Sequence, residues 1–297
     1  MLLNAALAAA GAQQYPPATL YVVATPIGNL ADLTLRAIHV LARVDAVACE
    51  DTRVGAQLLR HLGINKPLLA LHTHNEQQAS ALVAERLQRG EAVAYVSDAG
   101  TPAVSDPGAA LVARISAAGL RVVPLPGASS ATAAVSVAGD VLGQGFSFVG
   151  FLPAKGGERR AALAAVLACA ATQVLFEAPH RIEALCAALA EAAPARRITL
   201  CRELTKQFEA VVTHDAAELP AWLAADEHRR RGEFVLVLHA RPAAPASGLP
   251  DSTLRLLQVL LRDLPLKQAV SLAAEISGAA RNALYEQALA LRDGGAR

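Results

Sequence analysis

Aromatic side chains are scarce in this chain, 4% of 297 residues, with one tryptophan and one methionine. Proteins that bind single strands by base stacking interleave aromatics with basic residues, and no such texture occurs here. The four cysteines, Cys49, Cys169, Cys186 and Cys201, lie far apart without a Cys-x-x-Cys pair. Buried reduced thiols are the expectation, and no metal ligand set emerges. The spaced glycines of a dinucleotide fingerprint are missing, as is a Gly-Lys-Ser/Thr phosphate loop. Nicotinamide oxidoreduction and NTP hydrolysis therefore lose support. No Lys or Arg precedes Arg36, so the Ala-rich start lacks the positive region of a secretory signal. No apolar run is long enough to span a bilayer. A formal net charge of +1 argues against a strongly basic nucleic-acid protein, though not against a local basic face. These absences point to a cytoplasmic protein with no membrane partner.

What is present is apolar: 54% hydrophobic against 18% charged, with Ala, Val and Leu left to fill the cores. Short apolar runs at 20–24, 46–48, 68–71, 92–96 and 122–125 read as strands, each followed by a turn and an amphipathic helix. Asp32 is the expected N-cap of the first of these helices. The alternation predicts a mainly parallel sheet covered on both faces. Further strands are expected at 146–149, 172–176, 198–201, 207–212 and 234–238, with helices at 158–168 and 180–191. The expected organisation is a frayed extension over 1–18, an α/β domain over 19–125, a second over 126–240, a Pro/Ala/Gly linker over 241–250 and a helical tail over 251–297. Ser252 is the expected cap of the first tail helix.

The strand ends carry the chemistry. VSDAGTPAVSDPG, Val96 to Gly108, leaves an apolar strand as a run of turn-forming residues, where open α/β sheets place ligands. In Thr25-Pro26-Ile27-Gly28-Asn29, Pro26 fixes the backbone and Gly28 lets it approach a ligand; a plain strand-to-helix turn is the bland alternative. Glu50-Asp51-Thr52-Arg53 sets two carboxylates beside a guanidinium. It could orient a hydroxyl, accept a proton, hold a phosphate, or merely cap the next helix as an ion pair. His72 and His74 read as polar loop residues, since further ligands at metal spacing are missing. Arg202-Glu203-Leu204-Thr205-Lys206 repeats the mixed-charge theme. Lys155, Arg159, Arg160, Arg181 and Arg229-Arg230-Arg231 are solvated singly, or together a phosphate-binding rim.

Taken in order, TPIGNLADLTLRA, EDTR, HNEQQ, VSDAGTPAVSDPG, VVPLPGASS, GFLPAKG, FEAPHR, RELTK and LPLKQAVSLAAEISGAARNALY resemble the ribosomal RNA small subunit methyltransferase I family. That family belongs to the tetrapyrrole-methylase-like S-adenosylmethionine enzymes, and the likeness runs from about Leu20 to Leu291. It implies two α/β domains with the methyl donor in the cleft between them, and a homodimer. It also implies methylation of the ribose 2′-oxygen of a cytidine in the decoding region of 16S rRNA, within the 30S subunit. By position, the resemblance assigns donor contacts to Pro26, Ala99, Gly100, Thr101, Val104, Ser129, Ser130, Ala178 and Leu204, with Gly28 beside them. Two departures stand out: Val54-Gly55 after EDTR, where relatives tend to carry His or another polar residue, and the extension before Tyr15.

A ribose hydroxyl is a poor nucleophile and needs a base or a polarising neighbour. The candidates are Asp51, Lys206, Glu50 and Glu203, with Lys206 eligible only if its pKa is lowered. Arg53, Arg181, Lys155 and Arg159 are the expected RNA contacts. The competing readings are a porphyrinoid C-methyltransferase using the same cleft, and a non-catalytic ribosome-assembly factor that keeps the donor site as structure.

Overall fold

The computed structural model describes residues 1–104, 108–242, 249 and 251–294. Helix α1 (Leu2–Ala10) precedes five strand–helix units: β1 (Thr19–Val23), α2 (Leu35–Arg43), β2 (Ala46–Cys49), α3 (Thr52–His61), β3 (Leu68–Ala70), α4 (Glu76–Gln88), β4 (Val93–Val96), α5 (Ala109–Ala117), β5 (Arg121–Leu125) and α6 (Ser130–Ala138). The second half holds β6 (Phe146–Phe151), α7 (Gly156–Ala168), β7 (Thr172–Glu177), α8 (Ile182–Ala192), β8 (Arg197–Arg202), β9 (Ala210–Asp215), α9 (Leu219–Ala224) and β10 (Phe234–Leu238). Three helices follow: α10 (Asp251–Asp263), α11 (Leu266–Ser277) and α12 (Arg281–Gly294).

The first sheet runs β3-β2-β4-β1-β5 with every pair parallel. Period-two alternation sends Tyr21, Val23, Ala94 and Val96 into one core and Leu20, Val93 and Tyr95 into the other. Both faces are thus covered by helices, as a parallel sheet requires. Burying each such Leu or Val contributes roughly 1.5–3 kcal/mol. Because β4 lies between β1 and β2, the carboxyl ends of β1 and β4 are neighbours.

The second sheet, β6-β7-β10-β8-β9, is mixed. Only β6 and β7 run parallel; the other three pairs are antiparallel. One face packs Leu175, Leu200, Phe234 and Leu236 against α7 and α8. The other packs Val174, Cys201, Val235 and Val237 against Ala131, Ala134 and Ala138 of α6, whose small side chains let the helix lie close. Both sheets lie in one compact unit, Met1–Ala240. The second unit, Arg241–Arg297, has its own core around Leu257, Val270, Ala273, Leu284 and Ala288.

Several local expectations change. The extension read as frayed contains α1, whose Ala6 and Ala10 are buried and which packs on α2. Thr34, not Asp32, caps α2, its Oγ1 accepting from Ala37 N–H at 3.1 Å. Asn29 caps the short turn that contains Asp32. Strand β9 starts at Ala210 rather than Gln207, because Glu209 accepts the Thr205 N–H and holds 203–209 as a turn. Ser252 lies inside α10. Of the expected linker, residues 243–248 and 250 fall outside the described residues, as does Ser105-Asp106-Pro107 of the long loop.

Candidate active site

The site is built on the loops leaving β1 and β4. Thr25 and Gly100 form an antiparallel bridge, exchanging N–H···O bonds of 2.9 and 3.1 Å. Thr25 Oγ1 also donates to the Ser97 carbonyl at 3.2 Å. Gly100 adopts φ 81°, which an L side chain resists. The paired loops form a wall that contributes lining to two cavities.

One cavity, of about 390 Å³, is lined by Ile27, Ala99, Ser130, Phe151, Phe176, Ala178, Leu204, Phe234 and Val235, with Glu177 and Glu233 among them. The other, of about 460 Å³, is lined by Pro26, Gly28, Leu30, Ser97, Asp98 and one face of α3. The expected donor contacts thus divide. Ala99, Ser130, Ala178 and Leu204 meet in the first cavity, while Pro26 and Gly28 face the second. Gly100 lies in the wall itself. Thr101 Oγ1 donates to the Ala128 carbonyl at 3.1 Å and so ties the wall to the Pro-Gly turn. Ser129 is the N-cap residue of α6. Val104 is half-exposed and lines neither of these two cavities.

The β8–β9 turn brings Leu204 in. Its neighbours Glu203 and Thr205 both adopt left-handed backbone, φ 52° and 67°. Each such residue costs on the order of 1–3 kcal/mol and persists where the surroundings over-determine it. Here Glu203 Oε1 accepts the Glu233 N–H and the Lys206 ammonium, both at 2.8 Å. Lys206 Nζ reaches Glu233 Oε2 at 2.9 Å as well. Burial works to lower the Lys206 pKa, but the hydrogen bonds it donates to Glu203 and Glu233 outweigh it and the net shift is upward. The condition for Lys206 to act as a base, a lowered pKa, is therefore not met. The Glu203 carboxyl is opposed by burial yet held below its ordinary range by Lys206 and the Glu233 N–H.

Asp51 is also a weak base. Arg53 Nε and Nη2 approach its carboxylate at 3.0 and 2.6 Å, the Arg53 N–H adds a third bond, and its pKa falls to about 2. Asp51 caps α3, and its own N–H donates to Asp98 Oδ1 at 3.1 Å, joining the EDTR loop to the wall. Glu50 beside it is half-exposed.

Two of the expected RNA contacts are committed elsewhere. Arg159 and Arg181 each pair at 3.0 Å with the fully buried carboxylate of Glu177, and both also bond carbonyls of the 152–153 turn. Both guanidinium groups thus neutralise the buried Glu177 carboxylate while keeping 16% and 20% of their side-chain surface exposed. Arg229, Arg230 and Arg231 are likewise engaged: Arg229 lies over the Trp222 ring, Arg230 pairs with Glu183 and Arg231 with Glu227. Arg53 is 89% exposed beyond its Asp51 contact, and Lys155, the N-cap of α7, is exposed. His72 and His74 meet edge to face, and among the described residues no group of three or more His, Cys, Asp or Glu could hold a metal ion.

Sequence reasoning missed Ile27, Phe151, Phe176 and Phe234. The first three stand inside quoted motifs, but apolar and aromatic residues read as core unless a cavity is seen. It also missed the cavity face of α3, although Val54, Gln57, Leu58 and His61 follow helical i, i+3, i+4, i+7 spacing.

The fold and this site belong to a recognisable class. The family model for Tetrapyrrole (Corrin/Porphyrin) Methylases matches residues 19–220. Among solved structures, uroporphyrin-III C-methyltransferase from Thermus thermophilus superposes with TM-score 0.54 at 22% identity, over 75% of this chain and 94% of that one. A diphthine synthase does so with TM-score 0.59 at 16% identity, over 74% and 90%. At those identities the likeness is one of fold. The family is shown by nearer relatives. Ribosomal RNA small subunit methyltransferase I of Neisseria meningitidis serogroup A is 49% identical over 93% of this chain and 94% of its own. The Escherichia coli O157:H7 relative of the same name is 48% identical over 91% and 94%. The RsmI C-terminal HTH domain model matches residues 247–292. The chain belongs to the ribosomal RNA small subunit methyltransferase I family, and is a methyltransferase of the tetrapyrrole methylase fold.

Proposed function

We propose that this protein transfers the methyl group of S-adenosylmethionine to the ribose 2′-oxygen of a cytidine in the decoding region of 16S rRNA. The observation that carries the reading is the pair of adjoining cavities along the loops leaving β1 and β4, since methyl transfer needs a donor and an acceptor held next to each other. The apolar cavity of Ile27, Phe151, Phe176, Leu204 and Phe234 suits an adenosine, with Ala99, Ser130 and Ala178 offering backbone at its edge. S-adenosylmethionine supplies a sulfonium-bound methyl group; in the transfer the carbon–sulfur bond breaks as the carbon–oxygen bond forms, and the hydroxyl proton leaves to solvent or a base. Because the sulfonium charge is lost in the transition state, a weakly polar cavity favours the step. Holding both reactants in line supplies much of the rate. With Asp51 and Lys206 held as charged partners, their part is to fix the loops. We further propose that the substrate is the assembled 30S subunit, that the protein works as a homodimer in the cytoplasm, and that Arg53 and Lys155 meet phosphates. Among the described residues no helix is long and apolar enough to cross a membrane.

Incubation with labelled S-adenosylmethionine and 30S subunits from cells lacking the gene tests this. Label on a ribose 2′-oxygen in the decoding region is expected. Transfer to a tetrapyrrole precursor, with none to 30S subunits or free 16S RNA, would overturn it.

A further inference from the structure

We infer that the cavity in front of α3 is the pocket for the base of the acceptor nucleotide, with His61 as its principal contact. The inference rests on the RNA methyltransferase reading and assigns a site to the acceptor half of the reaction. Three observations carry it. The two cavities adjoin along the same loops, Pro26, Gly28 and Asp98 lining this one and Ile27 and Ala99 the other. A group held here therefore lies next to a group held there, as transfer between two bound reactants requires. The volume, about 460 Å³, falls within the range of small-molecule pockets. The lining also has the right mixture. Val54 and Leu58 offer apolar surface to a ring face, while Gln57 and His61 from the same helical stripe bring hydrogen-bonding groups, and a histidine ring can stack. Enzymes that act on one nucleotide of a structured RNA bind its base splayed out of the stack in such a pocket. Arg53, one turn ahead of Gln57 and largely exposed, lies where a flanking phosphate would pass.

The test uses two variants of the full chain, His61→Ala, which removes the contact, and Val54→Trp, which fills the space. Both positions are on the exposed side of α3, and thermal melts report that the fold is kept. Donor affinity by calorimetry and kcat/KM on 30S subunits are read for each. The expected result is donor affinity within about twofold of the parent and kcat/KM reduced about tenfold or more, the size of a lost base stack. Unchanged kcat/KM in both variants, with the parent active on 30S subunits, would overturn the inference alone. A parent that labels no RNA would overturn the function proposed above and this pocket with it. Equal loss of donor affinity in both variants would also overturn it, by assigning the cavity to the donor.

Discussion

Gly28 lies directly against the side chain of Lys206: a Cβ placed on Gly28 would collide with the Lys206 Cγ and crowd Thr205 Oγ1. The contact joins the loop leaving β1 in the first sheet to the turn after β8 in the second. Gly28 also has φ 156°, a region that L side chains rarely adopt. One missing side chain thus lets two loops from different sheets close around the same site.

Gly28→Ala should cost about 1–3 kcal/mol from the collision alone, beyond the backbone strain. Gly119→Ala is the control, since Gly119 has φ 70° with open space around the added carbon. Its cost should stay near 1 kcal/mol. Urea denaturation of both variants measures the difference.

The Lys206–Glu203 pair predicts a pH window. Glu203 has its pKa depressed below 4.5 on folding, so its contribution is present above that value and is lost as pH falls through the folded pKa. Lys206 has its pKa raised above 10.5, so its contribution is present below that value and is lost as pH rises through the folded pKa. Lys206→Met should therefore melt below the parent between about pH 5 and 10, and the gap should close at both extremes. A gap that narrows nowhere below pH 4.5 would contradict the pairing.

Asp51→Asn tests whether the carboxylate takes the proton. Removing a general base slows reactions by about 10²–10⁴-fold. With the Asp51 pKa held near 2 by Arg53, and asparagine still able to cap α3, turnover should instead stay within a few-fold of the parent. A loss of a hundredfold with donor affinity intact would restore Asp51 as the base. Acid melts of the parent should show the Asp51 contribution present above pH 3.8 and lost as pH falls through about 2.

Glu177 is expected to matter for stability more than any exposed carboxylate. It is 2% exposed overall and serves Arg159, Arg181 and the Ala178 N–H. Glu177→Ala leaves two partly buried guanidinium groups unbalanced and should cost about 3–5 kcal/mol in urea denaturation. Arg159→Ala should lower stability while leaving the salt dependence of RNA binding unchanged. A phosphate contact would instead lower that slope by about one.

Much of the strand and helix order was legible because it is local. The apolar runs at 20–24 and 92–96 alternate side chains onto two buried faces, and such periodicity survives in one dimension. The turn residues after them marked the functional strand ends for the same reason. The N-terminal helix was less legible: its Ala-rich run carries no charge pattern, and its burial comes only from packing on α2. Arg159 and Arg181 read as RNA contacts because the sequence does not reveal that Glu177, 18 and 4 residues away, is buried between them.

By itself the sequence determined the order of elements, the loops that carry the chemistry and the family motifs, since turn propensity and hydrophobic period act over a few residues. The tertiary structure decided which of those loops meet. It placed β4 beside β1, so that the Thr25–Gly100 bridge makes a wall that lines two cavities. It also set Glu203 and Glu233 around Lys206, which raises the pKa of the proposed lysine base. Both outcomes depend on long-range pairing, and charge and burial at a site are properties of neighbours in space rather than along the chain.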